Sequence, residues 1–189
     1  MSACRKHLIW KRRTQCLHVR PSHAVSDWLF DPGSLTARLV AACDGKFRVE
    51  VLSQQREFPR RDEMLVLGLR SRQQAQVRQV LLTCNDVPWV YARTIMPLAS
   101  LQGALRGLTR LGNKPLGAVL FANPGMQRSE IQVTQLSAQH PCYAVLADKA
   151  REALWGRRSV FYLYNRPLLV SEFFLPAIPQ AQRCNKLHR

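Results

Sequence analysis

Hydrophobic and polar positions in the first part of the chain predict two helices followed by a strand. A mixed pattern over residues 21–30 predicts a short helix, which the Asp31-Pro32-Gly33 turn ends. Ser34 then stands at an N-cap position, with apolar residues at helical spacing over residues 35–43. From residue 47 to residue 51 every second position is apolar, the period of a strand with one covered face. We therefore expect the sheet to begin near residue 47.

Two hairpins and one longer helix are predicted farther along the chain. Residues 76–84 and 88–96 have the pattern of two strands joined by a turn-rich connection, and residues 158–164 and 167–175 form a second such pair. Leucines recur on one helical face over residues 98–111 before Gly112. Runs of strands with few helices between them indicate an α+β fold with a largely antiparallel sheet.

The length of 189 residues and a hydrophobic content of 47% favour a single domain. We assign residues 1–20 to a basic N-terminal arm that we expect to be loosely ordered, residues 21–178 to the folded domain, and residues 179–189 to a basic tail. Residues 134–150 are expected to form a surface excursion. No stretch is apolar enough for a membrane span or a secretory signal, so we expect a cytoplasmic protein without stable membrane insertion.

The charge balance is strongly basic, with 28 Lys and Arg against 12 Asp and Glu and a formal net charge of +16. Such a field attracts nucleic acid, an anionic membrane or a small anionic ligand. The basic residues, including the pairs Arg60-Arg61 and Arg157-Arg158, are dispersed along the chain, and we interpret them as a solvated surface. Because no aromatic-basic recognition motif accompanies them, we expect no nucleic-acid partner.

Motifs for metal and nucleophile chemistry are absent from the sequence. The five histidines are scattered, and H-E-x-x-H, G-x-S-x-G and G-x-G-x-x-G do not occur. Six cysteines without a C-x-x-C pair suggest neither a zinc site nor a disulfide framework, so we expect free thiols. We accordingly predict no metal site.

Two charged residues are candidates for ligand chemistry because strand alternation places them among apolar neighbours. Arg78 shares a strand face with Val80 and Leu82, and Glu172 shares one with Val170 and Phe174. A buried charge is costly unless it is paired, so the two could simply bridge each other or extend to an edge of the sheet. Alternatively they line a pocket, where Arg78 binds a carboxylate and Glu172 faces a hydroxyl or an acidic C–H group.

Several longer blocks resemble the chorismate lyase family, in the family's order, over roughly residues 27–176. Each block is far more specific than a short motif. They are Val-Arg-Gln-Val-Leu-Leu at 77–82, Pro-Trp at 88–89, Ala-Arg-Thr-Ile-Met-Pro at 92–97, Leu-Gly-Asn-Lys-Pro-Leu-Gly at 111–117, Leu-Trp-Gly-Arg-Arg-Ser at 154–159 and Pro-Leu-Leu-Val-Ser-Glu-Phe-Phe-Leu-Pro at 167–176.

The resemblance implies a six-stranded antiparallel sheet flanked by helices, with an internal ligand cavity beneath helical flaps. It also implies conversion of chorismate to 4-hydroxybenzoate and pyruvate, the first committed step of ubiquinone biosynthesis, by a monomer that needs no cofactor. In that family an arginine matching Arg78 holds the ring carboxylate, assisted by backbone N–H groups matching Leu35 and Leu116, and a glutamate matching Glu172 meets the hydroxyl end of the product.

Two questions stay open at the level of sequence. Glu172 either takes the C4 proton as a general base or only positions a substrate that transfers this hydrogen internally. The alternative function is a ligand-sensing module, since effector domains of some bacterial transcription regulators are similar in fold to this family. A complete regulator is not expected, because only about 45 residues precede the first predicted strand and they contain no helix-turn-helix pattern.

Overall fold

The computed structural model describes residues 8–15, 21–137, 140–146, 148–149 and 152–179. Four α-helices and eight strands occur in these ranges, with 3-10 segments at Arg13–Gln15, Leu98–Ser100, Gly103–Arg110 and Pro141–Leu146. The helices are α1 (His23–Leu29), α2 (Leu35–Ala42), α3 (Arg61–Leu67) and α4 (Leu116–Phe121). The strands are β1 (Lys11–Arg12), β2 (Phe47–Glu57), β3 (Ala75–Cys84), β4 (Val87–Pro97), β5 (Gln127–Arg128), β6 (Gln132–Leu136), β7 (Leu154–Leu163) and β8 (Arg166–Phe174).

All the strand pairs are antiparallel, in the order β1-β6-β7-β8-β4-β3-β2, and β5 pairs separately with β7. The α+β class and the antiparallel sheet predicted from the sequence are therefore confirmed. Six strands have five or more residues, and the two-residue strands β1 and β5 extend the predicted six-stranded sheet. Strand β6 occupies the start of the segment that we expected to be a surface excursion.

Both predicted hairpins are present and turn through residues with positive φ. Asn85 and Asp86 connect β3 to β4 with φ of 50° and 63°, and Tyr164 and Asn165 connect β7 to β8 with φ of 50° and 60°. Positive φ at both central residues is typical of the two-residue turn whose twist matches a hairpin. The second turn lies one residue earlier than the sequence suggested, because Arg166 is already part of β8.

The helix expected over residues 98–111 is instead a broken 3-10 segment. Leu101 donates its N–H to the carbonyl of Leu98 and Leu105 donates to that of Gln102, both three residues back. Gly103 between these turns has φ of +57°, which interrupts a regular helix. The leucines still face the core, since Leu105 and Leu108 are buried, so the pattern predicted burial correctly and backbone conformation incorrectly.

Helix α3 covers one face of the sheet. Ion pairs between its acidic residues and buried arginines of the strands hold it there. Glu63 on α3 accepts hydrogen bonds from Arg93 on β4 at 2.8 and 3.3 Å, and Asp62 accepts one from Arg158 on β7 at 3.0 Å. Burial acts to raise the pKa of Glu63, but the Arg93 guanidinium outweighs it and the pKa is lowered. The interpretation of Arg158 as a surface charge is wrong, because the residue is only 8% exposed.

The N-terminal arm contributes to this same face. Leu8 is buried in a cluster with Tyr91 and Phe173. Trp10 donates an indole hydrogen bond of 2.9 Å to Asp62, and β1 pairs with β6. The expectation of a loosely ordered arm is therefore wrong for residues 8–15; the remainder of residues 1–20 and most of the tail lie outside the described residues.

The opposite face of the sheet carries α1, α2, α4 and the Gly103–Arg110 segment. Trp28 and Leu39 from the first two helices pack against Val80 and Val90 of the sheet, and Leu108 and Leu120 pack against Phe161 and Val170. The predictions of α1 and of α2 with its Ser34 cap are confirmed, since Ser34 Oγ accepts a hydrogen bond from the N–H of Ala37 at 3.3 Å. None of the helices in the described ranges has the length and apolarity needed to cross a membrane.

A disulfide joins Cys43, directly after α2, to Cys84 at the end of β3. The expectation of free thiols is therefore wrong for these two cysteines. The spacing of cysteines along the chain could not indicate the bond, because the two residues are 41 positions apart and meet only when α2 packs on the sheet. The bond ties the helix to the strand that carries Arg78.

Removal of this cross-link is expected to destabilise the fold. Cys43→Ala should lower the free energy of unfolding by about 2–4 kcal/mol, because the unfolded chain regains the entropy of an open loop. Denaturant titration measures the change. A reductant should lower the melting temperature of the unmodified protein and leave that of Cys43→Ala unchanged; equal responses of the two proteins would contradict the prediction.

Candidate functional site

A pocket lies between the sheet and the N-terminal ends of α2 and α4. Its wall is mostly apolar, and its ionisable lining residues are three arginines and one glutamate. The apolar lining residues from the sheet and α4 are Val49, Val80, Leu82, Ala92, Val170, Phe161, Leu116, Leu120 and Phe121. The ionisable lining residues are Arg78, Arg128, Arg157 and Glu172. The pocket brings together all four residues that the sequence singled out, namely Leu35, Arg78, Leu116 and Glu172.

The register of the strands aligns the polar lining residues in cross-strand rows. Arg78 is opposite Thr94, Thr94 is opposite Val170, and Val170 is opposite Ser159. In the neighbouring row Ala92 is opposite Glu172, which is opposite Arg157. Side chains at directly paired positions lie on the same face of a sheet. Strands β3, β4, β8 and β7 thus form a continuous floor.

Arg78 lies at one end of this floor and is 2% exposed. Its guanidinium donates hydrogen bonds to Gln54 Oε1 at 2.7 Å and to the carbonyl of Lys114 at 3.3 Å. No carboxylate in the described ranges lies within ion-pairing distance of it, and burial lowers the pKa of Arg78. Arg78 and Glu172 therefore do not bridge each other, which was one of the two possibilities that the sequence left open.

Glu172 is paired with Arg157 instead. Arg157 Nε donates to Glu172 Oε2 at 2.6 Å, and the Arg157 side chain is 1% exposed. Nη1 of Arg157 also donates to the carbonyls of Trp28 and Asp31, both at 2.8 Å. The interpretation of Arg157 as a surface charge is therefore wrong. Hydrophobic and polar residues do not alternate along β7 in a way that would indicate the burial of Arg157, because both faces of this strand are buried.

The N-terminal ends of α2 and α4 approach each other above the floor. Leu35 and Leu116 are the first residues of these helices, where backbone N–H groups have no acceptor within the helix. A Cβ atom on Gly117 would lie 2.7 Å from Thr36 Oγ1, so a larger residue at position 117 would force Thr36 to shift. The backbone N–H groups of Leu35 and Leu116 thus belong to adjacent helix starts.

Arg128 on β5 completes the ionisable lining. Its Nε donates to Ser159 Oγ at 3.0 Å and its Nη1 donates to the carbonyl of Pro32 at 2.9 Å. Burial, with a smaller contribution from the charge of Arg157, lowers the pKa of Arg128 to about 10. No pattern marks Arg128 in the sequence, because a two-residue strand carries no periodicity.

The pocket is suited to an organic anion with an apolar body. Three guanidinium groups face one carboxylate within an otherwise apolar wall, and arginine binds carboxylates with paired hydrogen bonds. Within the described ranges, no group of three or more His, Cys, Asp or Glu side chains is arranged to hold a metal ion.

Comparison with known proteins gives a consistent family match. A family model described as chorismate lyase matches residues 4–184. A "Probable chorismate pyruvate-lyase" from Methylococcus capsulatus is 43% identical over 155 residues, covering 82% of this chain and 96% of that protein. A protein of the same name from Pseudomonas aeruginosa is 39% identical over 170 residues, covering 90% of this chain and 92% of that protein. The matched range extends beyond residues 27–176, where the sequence blocks resemble the family, into the N-terminal arm and the tail.

Solved structures similar in fold include regulator domains. The effector domain of PhnF from Mycobacterium smegmatis has a TM-score of 0.54 at 16% identity, covering 76% of this chain and 89% of that one. A GntR-family transcriptional regulator from Enterococcus faecalis has a TM-score of 0.51 at 17% identity, covering 71% and 97% respectively. At these identities the likeness concerns the fold alone.

Loss of Arg157 should strongly destabilise the protein. Arg157→Ala leaves Glu172 without its cation and two backbone carbonyls without their donor, so we expect a loss of about 3–5 kcal/mol in the free energy of unfolding. Arg48→Ala is the matched control, because Arg48 pairs with Asp86 at the surface and should cost about 1 kcal/mol or less. Urea denaturation measures both free energies of unfolding. Similar losses in the two variants would show that the buried contacts of Arg157 stabilise the fold no more than a surface ion pair does.

Proposed function

The chain belongs to the chorismate lyase family, and on this premise we propose that it converts chorismate to 4-hydroxybenzoate and pyruvate in the pocket on the sheet. The observation that carries the proposal is the convergence of Leu35, Arg78, Leu116 and Glu172 on one pocket. The pocket also has the apolar wall and the cationic groups that a cyclic dicarboxylate needs.

The chemistry requires positioning more than an added reagent. The bond from ring C3 to the enolpyruvyl oxygen breaks and C4 loses its hydrogen, whose electron pair completes the aromatic ring. The pair from the C3–O bond leaves with the oxygen as the enolate of pyruvate, which gains a proton at its methylene carbon. Atoms and electrons balance without an oxidant, so the protein has to hold one conformation and stabilise developing charge.

Arg78 anchors the ring carboxylate in this proposal. Its hydrogen bonds to Gln54 and to the Lys114 carbonyl fix the guanidinium, and the absence of a carboxylate partner among the described residues leaves its charge to the ligand. The first N–H groups of α2 and α4, at Leu35 and Leu116, add donors from the opposite side. The substrate ring then lies along the floor towards β8.

Glu172 meets the C4 hydroxyl and, we propose, takes the C4 proton. Arg157 holds Oε2, whereas Oε1 has no hydrogen-bond partner among the described residues. The hydrogen and the hydroxyl group share one carbon, so one oriented carboxylate can reach both. The rival route transfers the hydrogen within the substrate to the enolpyruvyl methylene and uses Glu172 only for positioning.

The proposal also covers the cellular location, the oligomeric state and the pathway of the product. We propose that the protein is a cytoplasmic monomer and that its aromatic product enters ubiquinone biosynthesis. Because disulfides are uncommon in reducing compartments, the oxidation state of Cys43 and Cys84 in cells bears directly on the proposed location.

The alternative is a sensor that binds a small anion without converting it, and the fold likeness to regulator effector domains motivates it. Incubation of the pure protein with chorismate separates the two functions. A lyase releases equal amounts of 4-hydroxybenzoate and pyruvate, which chromatography detects, whereas a sensor returns chorismate unchanged.

Arg78→Ala should weaken binding of 4-hydroxybenzoate by roughly 10- to 100-fold, because a hydrogen bond to a charged group contributes about 1.5–3 kcal/mol. Calorimetric titration measures the affinity. The surface variant Arg48→Ala serves as the control, because it removes the same charge from a side chain that pairs with Asp86 and does not line the pocket. Unchanged affinity in a folded Arg78→Ala variant would show that another group holds the carboxylate.

Glu172→Gln distinguishes the two proton routes. Glutamine keeps the shape, because its Oε1 can accept from Arg157 while its NH2 group donates to the oxygen of the C4 hydroxyl, but it cannot take a proton. We expect single-turnover chemistry to fall by about 10²–10⁴-fold, the loss typical of a missing general base. Single turnover is measured because slow product release could otherwise hide the chemical step. A nearly unchanged rate would favour transfer within the substrate.

A further inference from the structure

Among the described residues, four buried arginines and the half-buried Arg128 fall into two groups according to their partners. Arg93, Arg157 and Arg158 each pair with a carboxylate, namely that of Glu63, Glu172 or Asp62. Arg78 and Arg128 have no carboxylate within ion-pairing distance among the described residues, and both line the pocket. Since burying an unpaired charge is costly, a pocket that keeps two such cations is suited to a ligand with two anionic groups.

The net charge of the pocket lining also favours a ligand with two anionic groups. Three arginines and one glutamate give the lining a formal charge of +2. Chorismate is a dianion, with one carboxylate on the ring and one on the enolpyruvyl group, whereas 4-hydroxybenzoate keeps only the first. The site assigned to Arg78, Leu35 and Leu116 accounts for the ring carboxylate and leaves the second carboxylate without a partner.

We propose that Arg128 binds the enolpyruvyl carboxylate of chorismate and thereby distinguishes substrate from product. This inference rests on the lyase function proposed above. Two of the guanidinium nitrogens hold Ser159 Oγ and the Pro32 carbonyl, which fixes the direction of the group. Its Nη2 has no hydrogen-bond partner among the described residues and is available to a ligand.

The position of Arg128 agrees with the shape of the substrate. Arg78 and Ser159 end the same cross-strand row, so their backbones lie three strand spacings apart, roughly 14 Å. The enolpyruvyl group is attached at C3, next to the C4 hydroxyl that faces Glu172. With the ring carboxylate on Arg78, the second carboxylate extends beyond Glu172 towards Arg128. Arg157 is less suited to this role, since its charge is already paired with the Glu172 carboxylate and its Nε and Nη1 hold Glu172 and the carbonyls of Trp28 and Asp31.

The test compares the substrate with the product in Arg128→Gln. We expect kcat/KM for chorismate to fall by roughly 10- to 100-fold, while the Kd for 4-hydroxybenzoate, measured by titration, stays within about threefold of the original, since product lacks the second carboxylate. Arg128→Lys, which keeps the charge but loses the paired geometry, should lie between. Arg48→Gln removes a surface charge and should change neither quantity.

Other results would contradict either the role of Arg128 or the lyase function on which that role rests. Equal losses for chorismate and 4-hydroxybenzoate, in Arg128→Gln and Arg128→Lys alike, would mean that Arg128 only holds the Pro32 loop and would overturn its substrate role. Unchanged kcat/KM would overturn it as well. Failure of the unmodified protein to convert chorismate would instead refute the proposed lyase function, which the Arg128 variants do not test.

Discussion

The ion pair between Arg157 and Glu172 is the interaction on which the pocket depends. It joins β7 to β8 at 2.6 Å, and the same guanidinium holds the backbone carbonyls of Trp28 and Asp31. The chain between α1 and α2 is therefore fixed to the sheet by a buried cation. Because the N-cap of α2, Ser34, lies only three residues after Asp31, this attachment also determines where the first amide groups of the helix lie above the floor.

Buried charge distinguishes the two faces of the sheet. On the face covered by α3, Arg93 and Arg158 each have an acidic partner, so charge there joins elements of the fold. On the pocket face, Arg157 is paired with Glu172, whereas Arg78 and Arg128 have only neutral hydrogen-bond partners among the described residues. Unpaired cations are costly in an apolar surrounding, and this cost favours binding of an anion. The net charge of +16 attracts anions in general, whereas the geometry of the bound ligand is, in our proposal, selected by these two arginines.

Sequence reasoning predicted the elements with strong local signals. The β3–β4 hairpin, the capped helix α2 and the inward faces of Arg78 and Glu172 followed from period, turn residues and cap chemistry. The same reasoning failed where contacts are distant in sequence: Arg157 was taken for a surface residue, and Arg128 was not noticed. The Cys43–Cys84 bond and the packing of Leu8 were missed for the same reason, since neither has a local pattern. The likeness in fold to regulator domains adds that this architecture does not by itself imply catalysis.

The sequence by itself determined the fold class, the family and the residues that could bind a carboxylate or a hydroxyl, because periodicity and motif blocks are properties of neighbouring positions. Only the tertiary structure decided how charges are paired. Whether Glu172 is compensated by Arg78 or by Arg157 depends on strand order and register, which bring β7 beside β8 and leave β3 two strands away. Pairing energies act over a few ångströms in space, and distances of that kind are set by packing between strands that are far apart along the chain.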